Sequence, residues 1–242
     1  MVDGGALPPA LAAVDRDGAL AEAAANAAAG GSELRRASRP TRRGLIGLGA
    51  GAAGLGFAGR ARAAAGSTTG SQQDIGILNY ALSLEYLQAS FYSEAERLHS
   101  LHGALADQAR IVGGHERAHV SAFQKVLGSQ AIKRPTFNFQ GVTEDPDGFR
   151  RTAVAFEDLA VEAYKYQAPR LQSQAFLAAA IAIHSVEARH AAWIRRLAGV
   201  LPAATAFDQP LPPRRVEALV ASTHFVVAAP DMASHQAPKF TG

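Results

Sequence analysis

The chain has 242 residues, 48% of them apolar but only 7% aromatic, with a formal charge of +3 and no cysteine. This composition favours helix over sheet, and the absence of cysteine excludes disulfides, thiolate-bound zinc, iron–sulfur clusters and a lipid-modified N-terminal cysteine. The positive charge does not indicate a nucleic-acid binder: residues 1–65 hold eight Arg against five Asp/Glu, leaving sixteen basic and sixteen acidic residues over 66–242, where a phosphate backbone finds no basic footprint.

Residues 1–40 are low in complexity, built from Ala, Gly, Pro and scattered charge, and are predicted to be disordered. Over 41–65 the pattern changes. Arg42 and Arg43 precede an uncharged, glycine-rich run from Gly44 to Gly59, followed by Arg60, Arg62 and three alanines. The run is short for a membrane span, which needs roughly twenty apolar residues. Basic start, apolar middle and small residues at the end make a signal peptide, and Thr-Arg-Arg-Gly-Leu-Ile resembles the twin-arginine export signal. The implied partner is the twin-arginine export machinery. The expected destination is the periplasm, the extracellular space or the cell surface, with no stable membrane span after cleavage near Gly66.

From Asp74 onward the apolar spacing is helical. Four long helices are predicted, at roughly 74–101, 105–128, 149–167 and 171–198. Pro135, Gly141, Pro146 and Gly148 mark a connection of about twenty residues between the second and third, and Gly199 and Pro202 end the fourth. Short links make antiparallel neighbours and one long link permits a crossover. The expected fold is therefore all-α, a four-helix bundle over 66–205 with one long crossover between helices 2 and 3. A Pro-rich tail over 206–242 follows, with one short helix near 213–224.

Each helix should bury a stripe at alternating steps of four and three. The second-helix stripe runs Leu105, Ala109, Val112, Glu116, His119, Phe123, Val126. The fourth runs Phe176, Ala180, Ile183, Glu187, His190, Ile194, Leu197, with a constant offset of 71. The first helix contributes Leu78, Leu82, Glu85, Ala89 and Tyr92; the third contributes Val154, Glu157, Val161, Tyr164 and Ala168. Glu85 and Glu157 differ by 72, as do Tyr92 and Tyr164. The chain reads as a duplicated helix pair: a glutamate on one helix, Glu-x-x-His on the next, then the same again.

His115-Glu116-Arg117-Ala118-His119 also matches the zinc-protease pattern H-E-x-x-H. The second copy has Val186 where His115 stands, so the repeated unit is E-x-x-H, and a protease would leave that second copy unexplained. Four carboxylates at one level of an apolar core need compensating charge, and no Lys or Arg lies on the stripes. Two divalent metal ions would supply it, with His119 and His190 as neutral ligands. Glu162, Glu94 and Glu96 fall off the stripes, and Glu162 is expected to face solvent. Tyr92 and Tyr164 are placed to hydrogen-bond the carboxylates or pass an electron, with core tyrosines as the alternative. His115 and His184 flank the stripes and are read as surface or packing residues, with support of the ligands as the alternative. Trp193 and Phe91 are read as core, and Phe137 and Phe139 as pins for the long connection.

The order Glu / Glu-x-x-His / Glu / Glu-x-x-His resembles the ferritin-like superfamily. LNYALSLEYLQASFY, AFEDLAVEAY and VEARHAAWIRRL resemble the bacterial ferritin-like domain family that includes desiccation-related proteins. The resemblance covers about residues 74–225. It implies metal ligands at Glu85, Glu116, His119, Glu157, Glu187 and His190, with Glu116 and Glu187 bridging. Oxygen and nitrogen donors suit iron or manganese, with iron placed first. The expected function is an exported dinuclear metal protein acting on Fe(II), oxygen or peroxide in stress protection, and homo-oligomerisation is compatible with it. The alternatives are a stress or cell-envelope protein with a structural or vestigial metal site, and a metal-free helical binding module.

Overall fold

The computed structural model describes residues 71–228. The expected extension at 1–40, the signal at 41–65 and the last part of the tail lie outside the described residues. Four long helices form the body: α1, Gln72–Leu98; α2, Gly103–Leu127; α3, Pro146–Gln167; and α4, Gln174–Leu197. A short helix α5, Pro213–Ser222, follows.

Local chemistry sets the helix ends. Ser71 caps α1 by accepting from the Asp74 amide, and His99 stops it in a left-handed conformation (φ 53°), three residues before the periodicity suggested. Asp145 caps α3 through the amides of Asp147 and Gly148, and Pro146 takes the first turn, where its missing N–H costs nothing. Ser173 caps α4, so that helix begins three residues later than its apolar pattern implied. The buried Asp74 carboxylate accepts from the amides of Gln172 and Ser173, at 2.8 and 3.0 Å, tying the start of α1 to the start of α4.

The helices pair as α1 with α2 and α3 with α4, each pair joined by a short link. The cross-bundle contacts set the direction. Tyr92 of α1 bonds Glu157 of α3, while Tyr164 of α3 bonds Glu85 of α1. As the number rises on one helix it falls on the other, so α1 and α3 are antiparallel. Since α2 reverses α1 across a four-residue link, α2 and α3 run the same way. Residues 128–145 must then travel the length of the bundle, which is the predicted crossover. Eighteen residues have ample reach for a helix of roughly 36 Å.

The crossover is not wholly irregular. It contains a two-residue strand β1, Thr136–Phe137, that pairs antiparallel with β2, Val226–Ala228. No alternation announced this ladder, which is too short to leave a sequence pattern. Phe139 is buried and packs edge-on to Phe91 and Phe225, and Phe137 stacks on Phe139. The two phenylalanines thus do pin the connection. The segment after α4 also packs on the bundle, burying Leu211, Val216, Leu219 and Phe225. Among the described residues no helix is long and apolar enough to cross a membrane.

Most stripe positions are buried, His119, Ala168, Phe176, Ile183 and Leu197 are half-buried, and one position is open to solvent. Val126 is 53% exposed, and Leu127 is buried in its place, because the last turn of α2 leads directly into a 3₁₀ turn at Gly128–Gln130.

Candidate metal centre

Glu85, Glu116, Glu157 and Glu187 come from α1, α2, α3 and α4 in turn, and all four are fully buried. His119 and His190 each stand one turn past a glutamate of their own helix. Sequence reasoning named these six residues, and the fold brings them all together. They form two overlapping groups: Glu85, Glu116, His119 and Glu187, and Glu116, Glu157, Glu187 and His190. Within each group the donor atoms lie within 4.8 Å of one another, an arrangement able to hold a metal ion.

The shared members reach both groups with separate oxygens. Glu116 presents Oε2 to His119 Nδ1 at 3.6 Å and Oε1 to His190 Nδ1 at 3.0 Å. Glu187 presents Oε1 to His119 at 3.1 Å and Oε2 to His190 at 3.5 Å. Glu85 faces only His119, at 3.1 Å, and Glu157 only His190, at 3.5 Å. Two carboxylates thus span two positions, and one carboxylate and one imidazole serve each position alone.

Several of these atoms are close without being satisfied. Both oxygens of Glu116, both of Glu187, Oε2 of Glu157 and Nδ1 of His190 are buried and lack an aligned hydrogen bond. Buried polar atoms in native proteins are nearly always partnered. Carboxylate and imidazole lone pairs converging in this way fit divalent cations with oxygen and nitrogen preference, so the residues fit the implied metals.

Protonation shows how the same cluster exists without metal. Burial pulls His119 down, but the carboxylates of Glu116, Glu187 and Glu85 gathered around its Nδ1 outweigh it and push it up to about 12. His190 likewise reaches about 12, through Glu116, Glu157 and Glu187. Burial, and then the charge of Glu187, raises Glu116 well above the usual carboxylate range. Burial also raises Glu157, to about 7, against the pull of His190. At Glu187 the two neighbouring histidines overcome burial and bring it down to about 2. Metal-free, protons favoured on the rings of His119 and His190 and on the carboxyls of Glu116 and Glu157 offset part of the buried negative charge. The metal-free alternative likewise requires protons in this layer, and which groups hold them depends on contacts that spacing does not show.

The tyrosines support the carboxylates from the opposite helix. Tyr92 donates to Glu157 Oε1 and Tyr164 to Glu85 Oε1, each at 2.5 Å, and burial raises both hydroxyls well above their usual value. His115 is exposed yet meets His190, Nδ1 to Nε2 at 2.9 Å. It is thus a surface residue, as expected, that also makes the contact the supporting alternative requires. Gln108, absent from the predicted stripes, is fully buried with its amide 3.5 Å from the Tyr92 hydroxyl. Its signal in the sequence was a polar residue one turn before a buried valine, too common a pattern to single out.

Other candidates lie elsewhere. Glu94 accepts from Thr143 and Glu96 pairs with Arg117. Glu162, expected to face solvent, is half-buried beside the 202–209 loop, because that loop folds back over α3 and α4. His184 is half-buried and outside both groups. Trp193 packs against the core from a partly buried position, and Phe91 lies inside it.

No curated protein matches the chain by sequence. The family model of the ferritin-like domain matches residues 73–200, from the first turn of α1 to just past α4, which is 128 of the 242 residues. The match encloses every residue of the two groups, and the chain belongs to the ferritin-like domain family.

Proposed function

We propose that this is an exported protein whose bundle holds two divalent metal ions, iron before manganese, and that it performs redox chemistry on Fe(II), dioxygen or peroxide in stress protection. The observation that carries the metal reading is the pair of shared carboxylates, Glu116 and Glu187, each offering one oxygen to either histidine. In this reading Glu85 and His119 complete one position, and Glu157 and His190 the other. Bound there, two redox-active ions would supply the electrons for reducing an O–O bond or accept them from Fe(II). The tyrosines hold the outer carboxylates, and the apolar bundle excludes water. Export, through the twin-arginine machinery, is supported by Arg42, Arg43 and the run to Ala65; the desiccation-related assignment rests on the quoted helix strings.

A second reading, a structural metal site without turnover, is favoured by closure: all four glutamates are inaccessible. Elemental analysis of protein recovered from the exported fraction of its host separates the readings, with Glu116→Ala/His190→Ala beside it. Two Fe or Mn per chain, lost in the variant, with Fe(II)-dependent oxygen or peroxide consumption, is the expected result. Tightly held zinc without turnover would favour the structural site. A folded, metal-free chain that binds no added metal would defeat both.

A further inference from the structure

The two halves of the site follow one repeated pattern, yet their surroundings differ. At the Glu157/His190 position, Nε2 of His190 faces Nδ1 of His115 at 2.9 Å, with the rings 16° from parallel. Tyr92, which holds Glu157, is in turn approached by the buried amide of Gln108. The offset of 71 that carries Glu116 to Glu187 carries His115 to Val186 and Gln108 to Ala179. Neither counterpart has a polar side chain. At the Glu85/His119 position, Tyr164 instead borders an apolar cavity of about 40 Å³, beside Leu78, Leu84 and Ile183. The His119 side chain is 13% exposed, against 3% for His190.

A metal-ligating imidazole is oriented by the group its other ring nitrogen donates to, and loss of that group weakens binding about 10- to 100-fold. If His190 ligates through Nδ1, its ring proton lies on Nε2, where Nδ1 of His115 accepts it. Val186 offers His119 nothing equivalent. The geometry points to two metal positions of unequal strength, with His115 and Gln108 as positioning residues that make the Glu157/His190 position the first to fill and the Glu85/His119 position the exchangeable one. This rests on the metal-binding reading above.

Cobalt(II) titration of the metal-depleted full chain, read by calorimetry and visible absorption, tests it. Two steps at least about tenfold apart are expected. In crystals grown with one equivalent, anomalous scattering should place the ion beside Glu157 and His190. His115→Val should weaken the first step about 10- to 100-fold and leave the second within about twofold. His115→Asn, which keeps a neutral acceptor, should recover most of the loss. His115 is exposed, so its replacement leaves the core intact, and circular dichroism of both variants confirms the helices. Two equal steps, a first ion beside Glu85 and His119, or equal losses at both steps in His115→Val would overturn the inference while leaving a metal site standing. A folded chain that takes up no cobalt would overturn the metal reading as well.

Discussion

Tyr92 and Tyr164 show what a single hydroxyl does in this core. Each is buried, and each donates to a glutamate on the opposite helix. Replacing either with Phe leaves a buried carboxylate oxygen without its donor. Tyr92→Phe and Tyr164→Phe are each expected to lower the stability of the chelator-treated protein by about 1–3 kcal/mol, measured by urea unfolding. Stability unchanged in both variants would show that the hydroxyls only fill space. The spacing of seven residues after each glutamate made these tyrosines visible in the sequence, but it could not say which carboxylate each one meets. That depends on the antiparallel course of α1 and α3. The exposure of His115 was legible from α2, where it lies on an outer edge, but only the position of α4 supplies its partner.

Among the elements, α1 and α2 pack closely beside the site at Gly113. A Cβ on Gly113 would lie 2.3 Å from Glu96 Oε1 and 2.9 Å from Tyr92 Cβ. The glutamate tip can swing away, but the Tyr92 Cβ is fixed to the neighbouring helix. Alanine would gain about 1 kcal/mol of helix propensity, yet the overpacking should exceed it. Gly113→Ala is expected to cost about 1–2 kcal/mol net and to weaken metal binding, because Glu116 lies one turn further along the displaced helix. Higher stability in a thermal melt would show that the helices part without penalty. At the start of the bundle, Asp74→Ala removes a buried acceptor shared by two amides before α4. A loss of about 2–3 kcal/mol is expected, read by urea unfolding. The existence and order of all four helices were legible, since each carries a sustained stripe. Their ends were less so: the caps at Ser71 and Ser173 are single side chains that override periodicity by two or three residues.

For the whole molecule, the protonated cluster sets the pH response. His119 and His190 titrate near 12 in the fold, against 6.5 for a free ring, so their contribution is full below about pH 6.5 and is lost as pH rises toward 12. Glu157, raised to about 7, and Glu116, also raised, act in the same direction: stability falls as pH climbs from 4.5 through their folded values. Glu187, lowered to about 2, has the opposite sign, with a contribution present above 4.5 and lost as pH falls toward 2. The metal-free protein should therefore melt at a lower temperature at pH 9 than at pH 6. Metal must displace one proton from each ring, the proton on Glu116 and the fraction still held by Glu157, so loading at pH 7 should release about three to four protons per chain, and affinity should rise with pH. Calorimetry in buffers of different ionisation enthalpy counts them. Release of none would mean that the ligands are already deprotonated and that the metal-free cluster is not held by imidazolium charge.

The repeated stripes, with their offsets of 71 and 72, determined the four helices, the buried face of each and the six residues of the centre, because helical period and burial are local properties of a chain. The length of the 128–145 link allowed a crossover, but only the crossed tyrosine contacts made it necessary. The β1–β2 ladder, the partner of His115 and the burial of Gln108 were decided by tertiary structure alone. Each depends on which segment lies beside it, at separations of 89, 75 and 16 residues, where no periodicity reaches. The asymmetry of the centre belongs to that second class. The sequence repeats the ligands, and the packing around them makes the two positions different.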